Sequence, residues 1–190
     1  MDAKTAILNT AESLFNQKGY AAVGVDLIRY RVPVSKTTLY RHFRGKNDLI
    51  HAVLTRRDDV FQTSLRTAAE QAPSGYARLQ AIFSWHQQWF QSATFNGCLF
   101  QKALAELGTE DPLIAQLAQR HKRQIAALIA ANLPATASEP SLWVDFLMAQ
   151  LEGSNNQVVQ LGPDDGRLSA CHRLALTYVQ QALFSPPDQN

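Results

Sequence analysis

The sequence predicts an all-α chain of about nine helices, and three observations carry that prediction. Apolar residues recur at the i, i+4, i+7, i+8 spacing of an amphipathic helix along most of the chain. Stop signals separate these segments: Gly19, Pro33, Gly45, then "APSG", "GTEDP", "LPATASEP" and "GPDDG". Alternating apolar and polar runs with the β-branched bias of strands are scarce. Composition agrees, since 46% hydrophobic and 18% charged residues in a chain of 190 suit a globular protein with a sizeable core and argue against disorder. The amphipathic opening "AILNTAESLF" lacks the basic stub and apolar run of a secretion signal, and no apolar run approaches the roughly 18 residues of a membrane span. A cytoplasmic location without membrane attachment is therefore expected. Only Cys98 and Cys171 are present, far apart, so neither a disulfide framework nor a zinc knuckle has support, and no metal or other cofactor is expected.

Each helix follows from its own pattern. The first, about Ala3 to Lys18, carries Ile7, Ala11, Leu14 and Phe15 on one stripe and ends at Gly19, where a C-terminal cap belongs. The second spans about Val25 to Val32 before Pro33 interrupts. Ser35 can cap the third, which ends near Arg44-Gly45. A long fourth helix runs from Lys46 to about Gln71. The fifth, about Tyr76 to Ser92, carries Leu79, Ile82, Phe83, Trp89 and Phe90. The sixth covers about Cys98 to Leu107 and the seventh Leu113 to Asn132. The last two run from about Ser141 to Gln160 and from Arg167 to Phe184, leaving "SPPDQN" as a frayed tail.

The net charge of +2 conceals an asymmetry: through position 57 ten basic residues face four acidic ones, a net of +6, so the remainder carries −4. A basic head on a mildly acidic body suggests that the head meets nucleic acid. The segment "VSKTTLYRHFRGK" concentrates that charge. At about 100° per residue Leu39 and Phe43 share one narrow arc, while Thr37, Thr38 and Arg41 lie opposite. Two short helices joined by a tight turn, the second with an apolar inner edge and a polar outer face, form a helix-turn-helix whose second helix enters the DNA major groove. Threonine hydroxyls and methyls and the arginine fork suit base edges, so Thr37, Thr38 and Arg41 are expected to face bases, with Lys36, Tyr40, His42 and Lys46 flanking them near phosphates.

At this point the residues resemble a known family. "AILNTAESLFNQKGY", "VDLI" and "VSKTTLYRHFRGKNDLI" resemble the DNA-binding domain of tetracycline-repressor-type (TetR family) transcriptional regulators over about the first 50 residues. The resemblance implies that Lys36, Thr37, Thr38, Tyr40, His42 and Lys46 stand at positions used against DNA. It also implies two domains: a helix-turn-helix DNA-binding domain at 1–46, and a helical effector-binding and dimerisation domain at 47–190. Three departures stand out. Val23 and Gly24 occupy places where the family often has Thr or Ser as cap and phosphate contact. Arg29 replaces a small residue, and Pro33 replaces the usual turn glycine, so the turn must adopt another geometry or the second helix must stop early.

"NGCLFQKALAELGTEDP" and "HKRQIAALIAANL" resemble the ligand-binding domain of one broad subgroup. The implied function is a transcriptional regulator, a repressor released from a palindromic double-stranded operator by a small-molecule effector, and dimerised through its last two helices. Leu142, Phe146, Ala149 and Gly153 would line that interface from the eighth helix, and Leu168, Ala175, Tyr178 and Ala182 from the ninth. Trp85, His86, Trp89, Phe100, His121, Trp143 and Phe146, with Phe90 and Phe95, are candidates to line an effector pocket; the alternative is that they are ordinary core. Arg56 and Arg57 either extend the DNA footprint or are solvated. An enzyme is not supported, because no phosphate-cradling glycine loop, HExxH motif or catalytic carboxylate pair is present; Asp164 and Asp165 read as turn acids. The remaining alternative is a helical nucleic-acid-binding or adaptor module without an effector.

Overall fold

The computed structural model describes residues 2–163 and 166–184; the turn acids Asp164 and Asp165 and the tail from Ser185 lie outside the described residues. Among the described residues the chain folds into α1 (Ala3–Lys18), α2 (Val25–Arg31), α3 (Lys36–His42), α4 (Lys46–Glu70), α5 (Gly75–Phe90), α6 (Leu99–Leu107), α7 (Pro112–Ala130), α8 (Pro140–Leu161) and α9 (Arg167–Val179), with no strand. The ninth helix was expected to reach Phe184. Its α-helical part ends at Val179, and a π-helical turn, Gln180–Phe184, takes over. No described helix is long and apolar enough to cross a membrane.

The chain divides into two compact units, Met1–Val60 with Cys98–His121, and Phe61–Gly97 with Lys122–Asn190. The sequence reading placed a boundary at Lys46. The packing instead groups the first part of α4, all of α6 and the first half of α7 with the helix-turn-helix.

In the first unit the predicted stripe of α1 is buried: Ile7, Ala11, Leu14 and Phe15 meet a core that includes Ile28, Leu39, Phe43, Leu49, Ile50, Val53 and Leu54. Phe15 stacks on Tyr20 at 4.8 Å between ring centroids. The Tyr20 hydroxyl is buried and donates to the Leu99 carbonyl at 3.1 Å; burial, aided by Cys98, pushes its pKa well above the usual phenol range. Two more side chains of α6 reach the same corner. Lys102 Nζ donates to the Asn16 carbonyl at 2.9 Å, and Glu106 Oε2 accepts from the Ala21 N–H at 2.7 Å. Gly19, at φ +80°, closes α1 in a conformation that a side chain would strain, and a Cβ there would stand 2.8 Å from Glu106 Oε1. Deeper in the unit Asp58, 2% exposed, accepts from Arg120 Nε at 3.2 Å and pairs with His121 Nδ1 at 2.9 Å. The His121 ring lies flat on Phe100, 3.9 Å away. His51 Nε2 meets Asp111 Oδ2 at 2.7 Å. Buried charges of this kind persist only where partners compensate them.

The second unit packs Phe61, Leu65, Leu79, Ile82, Phe83, Ile125, Ile129, Leu147, Leu151, Leu176 and Val179 into one core, with a smaller cluster of Phe90, Val158 and Leu168 beside it. Its buried polar groups are paired in part: His86 Nδ1 lies 2.8 Å from the Ile82 carbonyl, and Ser154 Oγ 2.8 Å from His172 Nε2.

Candidate nucleic-acid interface

The helix-turn-helix is built from short segments whose ends are set locally. Gly24 caps α2 without a side-chain hydrogen bond, as the departure at Val23-Gly24 implied, and Val23 itself is buried. Of the two outcomes foreseen at Pro33, the early stop occurs. α2 ends at Arg31, Val32 is extended at φ −106° and ψ 122°, and the Val34 N–H donates back to the Val32 carbonyl at 2.6 Å. No residue from Val32 to Ser35 has positive φ, so the turn does without the glycine geometry.

Ser35 then caps α3, its Oγ accepting from the Thr38 N–H at 3.0 Å. Along α3 the two faces separate as the wheel predicts. Leu39 is fully buried and Phe43, at the C-cap, is 2% exposed. Lys36, Thr37, Tyr40 and Arg41 are exposed on the other side. Tyr40 is 43% accessible, with Lys36 Nζ 6.0 Å from its ring centroid. His42 is half-buried, as is Lys46, the first residue of α4. Asp48, in the first turn of α4, accepts from the Arg44 N–H at 2.9 Å and so fixes the entry to that helix.

Thr38 differs in situation from the other two expected base readers. It is half-buried, and its Oγ1 shares a hydrogen bond with Ser35 Oγ at 2.9 Å, so its hydroxyl is engaged in the cap. Thr37 and Arg41 carry no such engagement. Among the described residues Lys36, Arg41, Arg44 and Lys46 form no ion pair. Arg56 and Arg57 are half-buried and engaged: Arg56 donates to Asn9 Oδ1 at 2.7 Å and Glu12 Oε2 at 2.6 Å, and Arg57 reaches Glu12 Oε1 at 3.3 Å. They bind α4 to α1.

The aromatic candidates fall into three groups. Trp85, His86 and Trp89 surround Phe61 in the second unit, with ring centroids 4.6, 5.7 and 5.3 Å from it, and Trp85 Nε1 donates to Ser64 Oγ at 2.9 Å. Phe90 and Phe95 continue that cluster at 5.4 and 5.0 Å from Trp89. Trp143 and Phe146, also in the second unit, pack instead on Tyr178 at 5.5 and 6.0 Å. Phe100 and His121 belong to the first unit, where they stack on each other beside Asp58. The sequence reading missed the polar ties of Lys102 and Glu106 to the α1–α2 corner, for which their i, i+4 spacing on α6 was the available signal.

The family model for the N-terminal domain of bacterial regulatory proteins of the tetR family matches residues 7–53, the segment that forms α1 to α3 and opens α4. This segment therefore carries a TetR-type N-terminal domain. The chain is 39% identical over 75 residues to the transcriptional activator FasR of Mycolicibacterium smegmatis, a match covering 40% of this chain and 34% of that one. It is 26% identical over 103 residues to the transposon Tn10 TetC protein of Escherichia coli, covering 54% and 52%. The chain thus spans about a third to a half of the curated relatives it matches. Solved structures extend the likeness in fold. The regulator SCO4454 of Streptomyces coelicolor superposes with a TM-score of 0.81 at 24% identity, over 96% of this chain and 94% of that one. Reduced NemR of E. coli gives 0.76 at 23% identity, over 98% and 100%.

Proposed function

We propose that this chain is a DNA-binding transcriptional regulator of the TetR family, a repressor that holds a pseudo-palindromic double-stranded operator as a homodimer and leaves it when a small-molecule effector binds the body. One observation carries the DNA reading: Leu39 and Phe43 are buried while Lys36, Thr37, Tyr40 and Arg41 are exposed with no ion pair among the described residues, so that face offers donors suited to bases and phosphates. Arg41 and Thr37 would read base edges, and Lys36, Tyr40, His42 and Lys46 would anchor phosphates.

The dimer reading is supported by apolar residues left exposed on the last two helices: Leu142 at 59%, Val159 at 54%, Leu161 at 64%, Leu174 at 74% and Tyr178 at 56%. The sequence-derived stripe needs one revision here. On α8, Leu142, Ala149 and Gly153 are exposed and Phe146 half-buried, as an interface requires; on α9, Leu168 and Ala175 are buried, while Leu174 and Tyr178 are exposed, as is Ala182 in the π-helical turn that follows. An effector that acts through the Trp85, His86, Trp89 cluster or the Trp143, Phe146 pair must bind the DNA-competent and released states with different affinity, because equal affinity shifts nothing.

The test is selection from random duplexes followed by gel shifts against duplex and single-stranded probes. The reading requires one preferred duplex with two half-sites about one helical turn or more apart. Equal retention of single strands, or a single asymmetric half-site, would overturn it. Light scattering showing a monomer at micromolar concentration would remove the dimer, and an apolar compound library that alters neither thermal stability nor operator affinity would remove the effector.

A further inference from the structure

We propose that the second unit carries a binding site for a small monocarboxylic acid, in the cleft between the end of α4, the start of α5 and the end of α7. This goes beyond the apolar effector of the regulator reading and does not depend on DNA binding. The cleft encloses about 300 Å³, at the small end of ligand pockets, and Arg66, Glu70, Arg78, Gln124, Leu128 and Asn132 line it.

The two arginines are the reason to assign a ligand class. Arg78 is half-buried, and its Nε donates to the Ala72 carbonyl of the α4–α5 turn at 3.2 Å. That bond fixes the plane of the guanidinium and leaves its Nη donors unbonded among the described residues. Arg66, on α4, lines the same cleft and is exposed, with neither a hydrogen bond nor an ion pair among the described residues. Glu70 is one turn further along the same helix, at the i, i+4 spacing of an ion pair with Arg66, yet the two form none among the described residues. An ordinary solvated arginine would need neither the concave wall nor the anchoring carbonyl. The guanidinium fork matches the two oxygens of a carboxylate bidentately.

The lining carries two positive charges and one negative, which favours a monoanion over a dianion. Glu70, when ionised, can only accept, so it favours a ligand that also carries a hydroxyl. Leu128 supplies an apolar wall for a short hydrocarbon body. Asn132, 6% exposed and held by its own Nδ2 donation to the Leu128 carbonyl at 2.7 Å, supplies a further oriented amide.

Isothermal titration of the full chain, without DNA, with 4-hydroxybenzoate and with its neutral analogue 4-hydroxybenzyl alcohol tests the site. The acid should bind one saturable site and the alcohol should not. Arg66→Ala removes no intramolecular bond and should weaken the acid by about tenfold or more, as should Arg78→Ala. Glu70→Gln should narrow the preference for 4-hydroxybenzoate over benzoate. No saturable binding of the acid, equal binding of the alcohol, or undiminished binding in Arg66→Glu would each overturn the site. Since the titration contains no DNA, failure of the regulator reading would leave its result unchanged.

Discussion

The basic side chains of α3 and those midway along α4 are the same chemical types in opposite circumstances. Lys36 and Arg41 project from α3 without an ionic partner among the described residues, whereas Arg56 and Arg57 are spent on Glu12 and Asn9, and Arg120 on the buried Asp58. Both groups belong to the first unit and both contribute to its positive charge. Only the first group is available to an external anion. The difference follows from reach: Arg56 and Arg57 of α4 find the Glu12 carboxylate on α1, while α3 is seven residues long and turns one face outward. A positive count thus says that a unit is basic, and pairing decides which part of it can bind.

The largest expected effect lies on the inner edge of α3, where the face assignment can be broken outright. Leu39→Ala removes a fully buried side chain and should lower stability by about 2–5 kcal/mol, read as a fall in the thermal midpoint. An unchanged midpoint would mean that the inner edge is not packed as described. Arg41→Ala should leave the midpoint nearly unmoved. It should cost about 1–3 kcal/mol on the selected operator and relax preference at one base pair per half-site. Loss of affinity with base preference intact would make Arg41 a phosphate anchor.

The elements that sequence made legible are those whose signals are local. Gly19, Pro33 and Ser35 marked ends that the structure places within a residue or two, and the Leu39, Phe43 arc followed from periodicity alone. What stayed illegible depends on contacts distant in sequence. Nothing local shows that Asp58 will meet His121 or that Glu106 will cap the corner at Ala21, 85 residues away, so the first unit's membership could not be read from a boundary at Lys46. Which aromatic candidates face which is likewise set by tertiary packing: Phe61 gathers Trp85, His86 and Trp89, while Tyr178 gathers Trp143 and Phe146. Thr38 shows a subtler gap. Its angle on the helix fits base contact, while the cap bond to Ser35 claims its hydroxyl.

A paired comparison sharpens the contrast between free and committed cations. Lys46→Ala should weaken all duplexes almost equally and lower the salt dependence by about 0.9 in log–log slope for each phosphate that Lys46 neutralises. Arg56→Ala should do the reverse, lowering the thermal midpoint modestly as the bonds to Glu12 and Asn9 disappear and leaving the salt slope alone. If both variants flatten the slope, pairing does not decide availability. Tyr40→Phe deletes one neutral hydroxyl from the exposed face, so its cost on DNA should be smaller than that of Lys46→Ala, on the order of 1 kcal/mol or less, with no change in slope. A change in base preference instead would turn Tyr40 from phosphate toward the groove.

The smallest effect at neutral pH concerns a third way of silencing a charge, which is burial. His172, 3% exposed on α9, touches Ser154 Oγ through Nε2 at 2.8 Å, while its buried Nδ1 has no partner among the described residues. Burial lowers its pKa below the ordinary 6.5, because a protonated ring would hold an unpaired N–H in the interior. The sign follows from proton uptake. Above about pH 7 the ring is neutral in both folded and unfolded chains, and its titration contributes nothing. As the pH falls through 6.5 the unfolded chain takes up a proton that the folded one refuses, so stability declines until the folded pKa is passed. The thermal midpoint should therefore drop less steeply for His172→Gln than for the parent between about pH 7.5 and 5.5, with the two curves differing by a constant above that range. Parallel curves throughout would mean that the ring is already solvated or finds a partner for Nδ1, and the contrast with the freely charged face of α3 would lose its buried counterpart.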